Sequence, residues 1–298
     1  MTSNLGRYFY AGAAIALGLI GFAWSDFATN WQRVALTIPH HTLLADATAL
    51  CELAGGLALL WPRSTRIGAA ILTAMYALFA FLWIPKILEN PKIYDSWGNF
   101  FEESSLVIGG LVLCSLLAPS GSALAGKAGA ISRAYGICAI SFALDHIVYF
   151  SSIPAWVPRW IPPGQVFWAA TTTVCFLLAA AAILSGVLAP LASRLLAVMI
   201  AGFELLIWLP KLFTAPHDHF SWAGNGISLA MAAAAWVVAD TISAEAHRKR
   251  NPEGGRDSYR PYKLFIFIYL MVLPRTRTPK CTPMGAALTL SNLTGGNR

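Results

Sequence analysis

The stretch Trp83-Ile84-Pro85-Lys86, followed by Pro91 and by Ser96-Trp97, decides the fold because it occurs twice in the chain. Each matching residue of the second copy lies 125 positions later: Trp208-Leu209-Pro210-Lys211, Pro216 and Ser221-Trp222. Four of the six identities are Trp or Pro, which chance seldom repeats at a fixed spacing. Each copy joins two apolar runs, so the repeat predicts the same helix connection in two related units.

The composition is that of a membrane protein. Of the 298 residues, 57% are apolar and 12% are charged, whereas soluble domains carry about 25% charged residues. A spanning helix needs about 17–25 apolar residues, and only helices satisfy every backbone polar group of such a run in lipid. Eight apolar runs have roughly this length. Their approximate bounds are 8–24, 43–61, 67–84, 103–118, 131–150, 166–189, 192–209 and 223–240.

The predicted fold is all-α: a polytopic membrane protein with eight transmembrane helices, arranged as two tandem four-helix bundles. Four spans per unit return the second copy to the orientation of the first, which makes the repeat parallel. The predicted domains are a first unit (1–120), a linker (121–130), a second unit (131–240) and a tail (241–298). The tail is basic and is predicted to be a disordered cytoplasmic segment, with an interfacial helix over its apolar run 264–273 as the alternative.

Charge is distributed unevenly. Residues 1–240 hold 11 Lys/Arg and 11 Asp/Glu, so the whole net charge of +7 comes from 241–298. A basic segment after the last span is typical of a topology determinant, and no nucleic-acid-binding motif accompanies it. Nine Lys/Arg, including those at 248–250 just after the last span, lie on the membrane side that holds the N-terminus, and five lie on the opposite side. The positive-inside rule then predicts cytoplasmic N- and C-termini.

Several ionisable residues fall within or at the ends of the spans. They form a candidate polar cavity: Asp46, Glu52, Glu103, Asp145, His146 and Glu204. A charge at the centre of a lone span costs roughly 2.5–3.5 kcal/mol, so such residues need a partner, a proton or a function. In one interpretation, Asp46, Glu52 and Glu103 line a cavity in the first half that binds a small ligand or relays protons. In the other, the acids near span ends touch interfacial water and cap helices, as Glu102 and Glu103 could.

The tryptophans of the connecting segments also have two interpretations. Trp and Pro flank the motif loops, fill the segment 155–163 and bound its first-half counterpart, Trp31 to Pro39. This pattern favours an aromatic belt at the membrane surface over a wall that stacks on a ligand. Pro85 and Pro210 are expected to end the third and seventh spans. The motif residues singled out are Trp83, Pro85, Lys86, Trp97, Trp208, Pro210, Lys211 and Trp222.

No catalytic or metal-binding motif stands in the chain. His217-Asp218-His219 and His40-His41 are the nearest approach to a metal site, but such loop histidines are common without metal, and no metal is predicted. The five cysteines include no Cys-x-x-Cys pair and are interpreted as apolar residues. We assign no catalytic residue, expect no catalytic activity of the chain's own, and identify no cofactor from the residues.

The four-helix unit has a Trp/Pro loop, a tight turn and an Ala/Gly-rich last helix that ends in Ala234-Ala235-Trp236-Val237-Val238-Ala239-Asp240. It resembles the DoxX/DoxD-like family of bacterial integral membrane proteins over residues 8–240, as two fused units. The resemblance implies a multi-pass protein of the bacterial inner membrane that serves as a non-catalytic subunit and binds a quinone or a membrane redox complex. Two alternatives stay open: a transporter or ligand-binding permease, which should have discontinuous helices at equivalent places in both halves, and a structural scaffold.

Overall fold

The computed structural model describes residues 5–250. It is helical and contains eight helices that are long and apolar enough to cross a membrane. The first half consists of α1 Leu5–Trp24, α2 His41–Leu60, α3 Thr65–Glu89 and α4 Tyr94–Leu116. The second half consists of α5 Ala128–Val148, a 3-10 turn Ile153–Trp156, α6 Gln165–Ser185, α7 Ala189–Phe203, a π-helical segment Glu204–Trp208, α8 Leu209–Thr214 and α9 His219–Arg250.

The predicted polytopic all-helical fold is confirmed. The segments α7, Glu204–Trp208 and α8 together form the seventh span, Ala189–Thr214. Shifting the first-half helices by 125 positions reproduces most second-half boundaries within about two residues. The exception is α9, which continues well beyond the counterpart of the end of α4.

Equivalent hydrogen bonds recur in the two halves. Tyr10 donates its hydroxyl to the carbonyl of Leu106 at 2.7 Å, and Tyr135 donates to the carbonyl of Met231 at 3.3 Å. Both residues of the second pair lie 125 positions after those of the first. The motif loops behave alike: the indole N–H of Trp97 or Trp222 donates to the carbonyl of the proline six residues earlier, at 3.1 and 2.9 Å. These shared contacts support the predicted internal repeat, whose origin by duplication stays a prediction.

The helices follow one another around the bundle in chain order, and contacts between α9 and α1 close the ring. Helices α4 and α9 also meet, where a Cβ on Gly109 would lie 2.8 Å from the Cβ of Ala234. The first helix of each half packs against the last helix of the other half, α1 against α9 and α5 against α4. The described helices of both halves therefore belong to one compact unit.

Three expectations about span ends were wrong. Pro85 does not end the third span, since α3 continues to Glu89, and the seventh span likewise passes Pro210. Each proline removes only one backbone donor, and the turn that follows closes normally: the N–H of Asn90 bonds the carbonyl of Lys86 at 3.1 Å. Helix α4 begins at Tyr94, so Glu102 and Glu103 lie within it and do not cap its first turn.

The last span does not end at residue 240, because α9 continues to Arg250. Glu245 pairs with Arg133 of α5 at 3.5 Å and with Lys249 at 3.2 Å, which ties this basic end of the helix to the bundle. The predicted disordered tail therefore cannot begin at 241. Its remainder, 251–298, lies outside the described residues, as does Cys281.

Candidate functional site

A cavity of about 470 Å³ opens at the end of the bundle that carries the motif loops. We call this end the tryptophan end; it contains the loops 25–40, 90–93, 149–164 and 215–218. Both halves contribute to the walls, which include Trp31, Glu102, Asp145, His146, Trp156 and Trp208. A second cavity of about 120 Å³ adjoins it and shares several of these residues. The site thus lies where the halves meet, and not inside the first half.

One wall of the cavity is a cluster of aromatic rings. Trp208 lies at its centre, with ring centroids 5.8 Å from Trp31, 5.6 Å from Trp156 and 5.9 Å from Phe220. Trp31 also stacks on Phe220 at 5.4 Å and 23°. Trp31 and Trp156 are themselves 125 positions apart. The two halves thus supply equivalent tryptophans to the same wall.

Carboxyl groups occupy the wall on α4 and α5. Asp95, at the start of α4, and Glu102, two turns later, both line the cavity, because residues seven apart share a helix face. The indole N–H of Trp31 donates to Oε2 of Glu102 at 2.6 Å. Asp145 approaches from α5 close to Gly98, where an added Cβ would lie 3.2 Å from its Oδ1. The glycine leaves room for the acid.

His146 lies next to Asp145 and also faces the cavity. Its Nδ1 is 3.3 Å from the hydroxyl of Thr173 on α6. The ring packs edge-on against Phe176, with centroids 5.3 Å apart, and near Phe203 at 6.4 Å. These contacts fix the ring at the border between the aromatic and the acidic walls.

Glu52 and Glu103 form a separate buried cluster in the first half. They are 2% and 0% exposed, and line neither of the two cavities. Gln32 donates its Nε2 to Oε1 of Glu52 at 2.6 Å, whereas both carboxyl oxygens of Glu103 lack a hydrogen-bond partner. Tyr10 and Tyr76 lie near enough to interact electrostatically with both acids. The hypothesis of an outward cavity lined by Asp46, Glu52 and Glu103 does not match this arrangement.

Asp46 and Glu204 stand apart from both groups. Asp46 is half-buried near the start of α2, and its Oδ1 has no hydrogen-bond partner. Glu204 opens the π-helical segment, is buried, and lies beside Ser228, a residue that lines the smaller cavity. Of the six candidate residues, the structure therefore brings only Asp145 and His146 into the larger cavity.

Equivalent residues of the two motif copies have different surroundings. Trp83 is buried, and its indole N–H donates to the carbonyl of Trp31 at 2.9 Å; Trp208 lines the cavity. The expectation that both belong to a lipid-facing aromatic belt was wrong. Lys86 pairs with Glu89 at 2.6 Å, whereas the ammonium of Lys211 lies 3.6 Å from the ring centroid of Trp156 and 4.4 Å from that of Trp208.

The histidines of the loops contact different partners. His41 lies 3.7 Å from Asp26, and the ring of His219 stacks on Trp24 at 5.0 Å. Between residues 5 and 250, no group of three or more His, Cys, Asp or Glu converges as metal ligands would. Hydrogen bonds from the side chain and the backbone of Ser221 hold the pKa of Asp218 below its ordinary value. The ionised carboxylate of Asp218 thus caps the start of α9 by accepting these hydrogen bonds.

Sequence reasoning missed much of the aromatic wall. Trp31 and Trp156 were interpreted as surface aromatics, because local sequence does not reveal which loops meet. Their spacing of 125 positions was a usable signal, since equivalent loops of a parallel repeat lie at the same end of the bundle. Tyr149 and Asn99, which also line the cavity, carry no such signal.

No protein-family model, curated protein or solved structure matches the chain. The resemblance to the DoxX/DoxD-like family therefore stays a prediction, and the site must be interpreted from its own residues.

Proposed function

We propose that this protein is a non-catalytic membrane protein that binds a small amphipathic ligand in the cavity at its tryptophan end. The observation that supports the proposal is the division of the cavity into an aromatic wall around Trp208 and a polar wall with Glu102, Asp145 and His146. Its volume of about 470 Å³ falls in the range of roughly 300–1,000 Å³ for small-molecule sites. Such a cavity suits a ligand with a flat apolar part and a polar head.

A quinone is the ligand class that the family resemblance implies, and two features of the cavity favour it. A flat quinone ring can stack on tryptophans, and the Tyr149 hydroxyl and the His146 ring could donate hydrogen bonds to its carbonyl oxygens. In this proposal the protein serves as the quinone-binding subunit of a membrane redox complex. Two further parts of the proposal are the cytoplasmic termini, which the distribution of Lys and Arg supports, and the bacterial inner membrane, which the family resemblance implies.

Transport has less support than binding. A transporter built from parallel repeats should interrupt equivalent helices in both halves. Here the seventh span contains the π-helical segment Glu204–Trp208, whereas its counterpart α3 is continuous from Thr65 to Glu89. The helix is therefore interrupted in the second half only. This asymmetry fits a binding site better than the symmetric gate of a transporter.

The test is to purify the protein in mild detergent and identify retained small molecules by mass spectrometry. Ile207→Trp should fill the cavity and abolish retention, because Ile207 lines it. The matched control is Leu205→Trp in the same segment, where the side chain is 61% exposed and is not among the residues that line the cavity. Retention that survives Ile207→Trp, or is lost equally in both variants, would contradict a site in this cavity.

A further inference from the structure

The charged lining of the cavity has one sign. Asp95, Glu102 and Asp145 line it, and no Lys or Arg is among its lining residues. The ion pairs found within residues 5–250 use other carboxylates, those of Asp26, Glu89, Asp240 and Glu245. The three acids of the cavity thus have no basic partner within ion-pair distance in this part of the chain.

The acids are arranged along the depth of the cavity. Asp95 is exposed at its mouth, whereas Glu102 and Asp145 are half-buried farther in. Walls of low dielectric constant with one sign of charge concentrate the electric field and raise the local concentration of oppositely charged ligands. A positively charged group is therefore attracted to the mouth, and inside the cavity it stabilises the ionised form of Glu102 and Asp145.

The aromatic wall already binds a cation of the chain itself. The ammonium of Lys211 lies 3.6 Å from the ring centroid of Trp156 and 4.4 Å from that of Trp208. Tryptophan is the best aromatic partner for cations, because the face of its ring is negative. Lys211 itself does not line the cavity, but Trp156 and Trp208 do, so two of the lining side chains are ones that already contact a cation.

From the acidic lining and the cation-binding tryptophans, we infer that the ligand of this cavity is an organic cation, an ammonium group joined to an apolar body. The inference rests on the proposed function and specifies its ligand class. The ammonium lies between Glu102 and Asp145 and faces the tryptophan cluster, and the apolar body lies toward Ile161 and Leu206. The quinone considered above could use the same aromatic wall, but it carries no charge that the three acids could attract.

The test compares two probes of the same shape. Benzyltrimethylammonium carries the charge, and neopentylbenzene replaces its nitrogen by carbon. Binding to the full-length protein in lipid nanodiscs is followed by intrinsic tryptophan fluorescence, with a short-chain ubiquinone analogue as a third probe. We expect the ammonium to bind at least about tenfold more tightly than its neutral counterpart, because a cation over desolvated tryptophan gains more than such a factor.

The carboxylates are tested by substitution. Glu102→Gln and Asp145→Asn should each weaken binding of the ammonium by about tenfold or more, and leave binding of the neutral probe unchanged. Gln at 102 can still accept the hydrogen bond from Trp31, so the wall is preserved. The matched control is Glu89→Gln, which removes a carboxylate at the same end but outside the cavity, and should leave the affinity unchanged.

The outcomes separate the two proposals. Equal affinities for the charged and neutral probes, or unchanged ammonium affinity in both cavity variants, overturn the organic-cation inference. Binding of the ubiquinone analogue alone overturns the inference but supports the proposed function. If none of the three probes binds while circular dichroism shows a folded protein, both proposals fall.

Discussion

Glu52 and Glu103 are buried at similar depth, yet their oxygen atoms have different surroundings. Glu52 accepts a hydrogen bond from Gln32, whose own Oε1 accepts the backbone N–H of Ala28 at 3.1 Å. Glu103 has no such partner for either oxygen. An unpaired buried polar group costs free energy, whereas a paired one is costly to disrupt. The two acids should therefore respond in opposite directions to the same substitution.

We predict that Glu52→Leu lowers the free energy of unfolding by about 1–3 kcal/mol, because it leaves the amide of Gln32 without its acceptor. Glu103→Leu should raise it, because it removes two oxygens that have no partner. Thermal unfolding in a single detergent, followed by circular dichroism, measures both changes. If Glu103→Leu is the more destabilising of the two, the carboxyl of Glu103 has a partner or a function that its surroundings do not reveal.

At the scale of elements, the third and seventh spans have the same motif but different backbones. Pro85 and Pro210 both lack the N–H that would close a helical turn, but only the seventh span contains a π turn, in which the N–H of Leu209 bonds the carbonyl of Glu204. The difference must come from packing. Trp208 lies over Gly224, and its ring occupies the space that a Cβ there would need. The first-half counterpart of Gly224 is Asn99.

We predict that Gly224→Ala displaces the ring of Trp208 and weakens ligand binding, because the added methyl group would overlap the indole. Tryptophan fluorescence should shift, and the free energy of unfolding should fall by about 1–3 kcal/mol, as for other overpacked sites. The control is Gly202→Ala in α7, where an added Cβ meets nothing within 4 Å. That substitution should be neutral or should stabilise the helix by up to about 1 kcal/mol.

Local sequence predicted the helices but not their details. Apolar runs predicted eight spans because only a helix satisfies the backbone in lipid, a rule that needs no knowledge of neighbours. The π turn at 204–208 and the continuation of α3 past Pro85 depend on which side chains pack nearby. The cavity depends on even more distant contacts, since Trp31 and Asp145 meet only when the two halves pack together. Spacing within a helix cannot reveal such a meeting.

At the scale of the whole molecule, the two halves share their packing surfaces. Helix α1 packs against α9, and α5 packs against α4, so the first helix of each half has its partner in the last helix of the other half. Close approach depends on small residues: a Cβ on Gly6 would lie 2.8 Å from the backbone nitrogen of Val237. In lipid, such close contact between backbones stabilises helix association in place of the hydrophobic effect.

This sharing predicts how the protein behaves when it is cut between α4 and α5, in the loop 117–127. Expressed separately, each fragment should be unstable or should self-associate, because the small-residue faces of α1 and α4, or of α5 and α9, lack their partners. Expressed together, the fragments should copurify and regain ligand binding.

The contact between the halves is tested by substitution in the coexpressed fragments. Gly109→Ile should abolish copurification, since its side chain would collide with Ala234 at the crossing of α4 and α9. Gly12→Ile, at a position where a Cβ meets nothing within 4 Å, should leave copurification intact. Two fragments that are each monodisperse and heat-stable alone would mean that the halves fold independently, and that the cavity between them forms only after folding is complete.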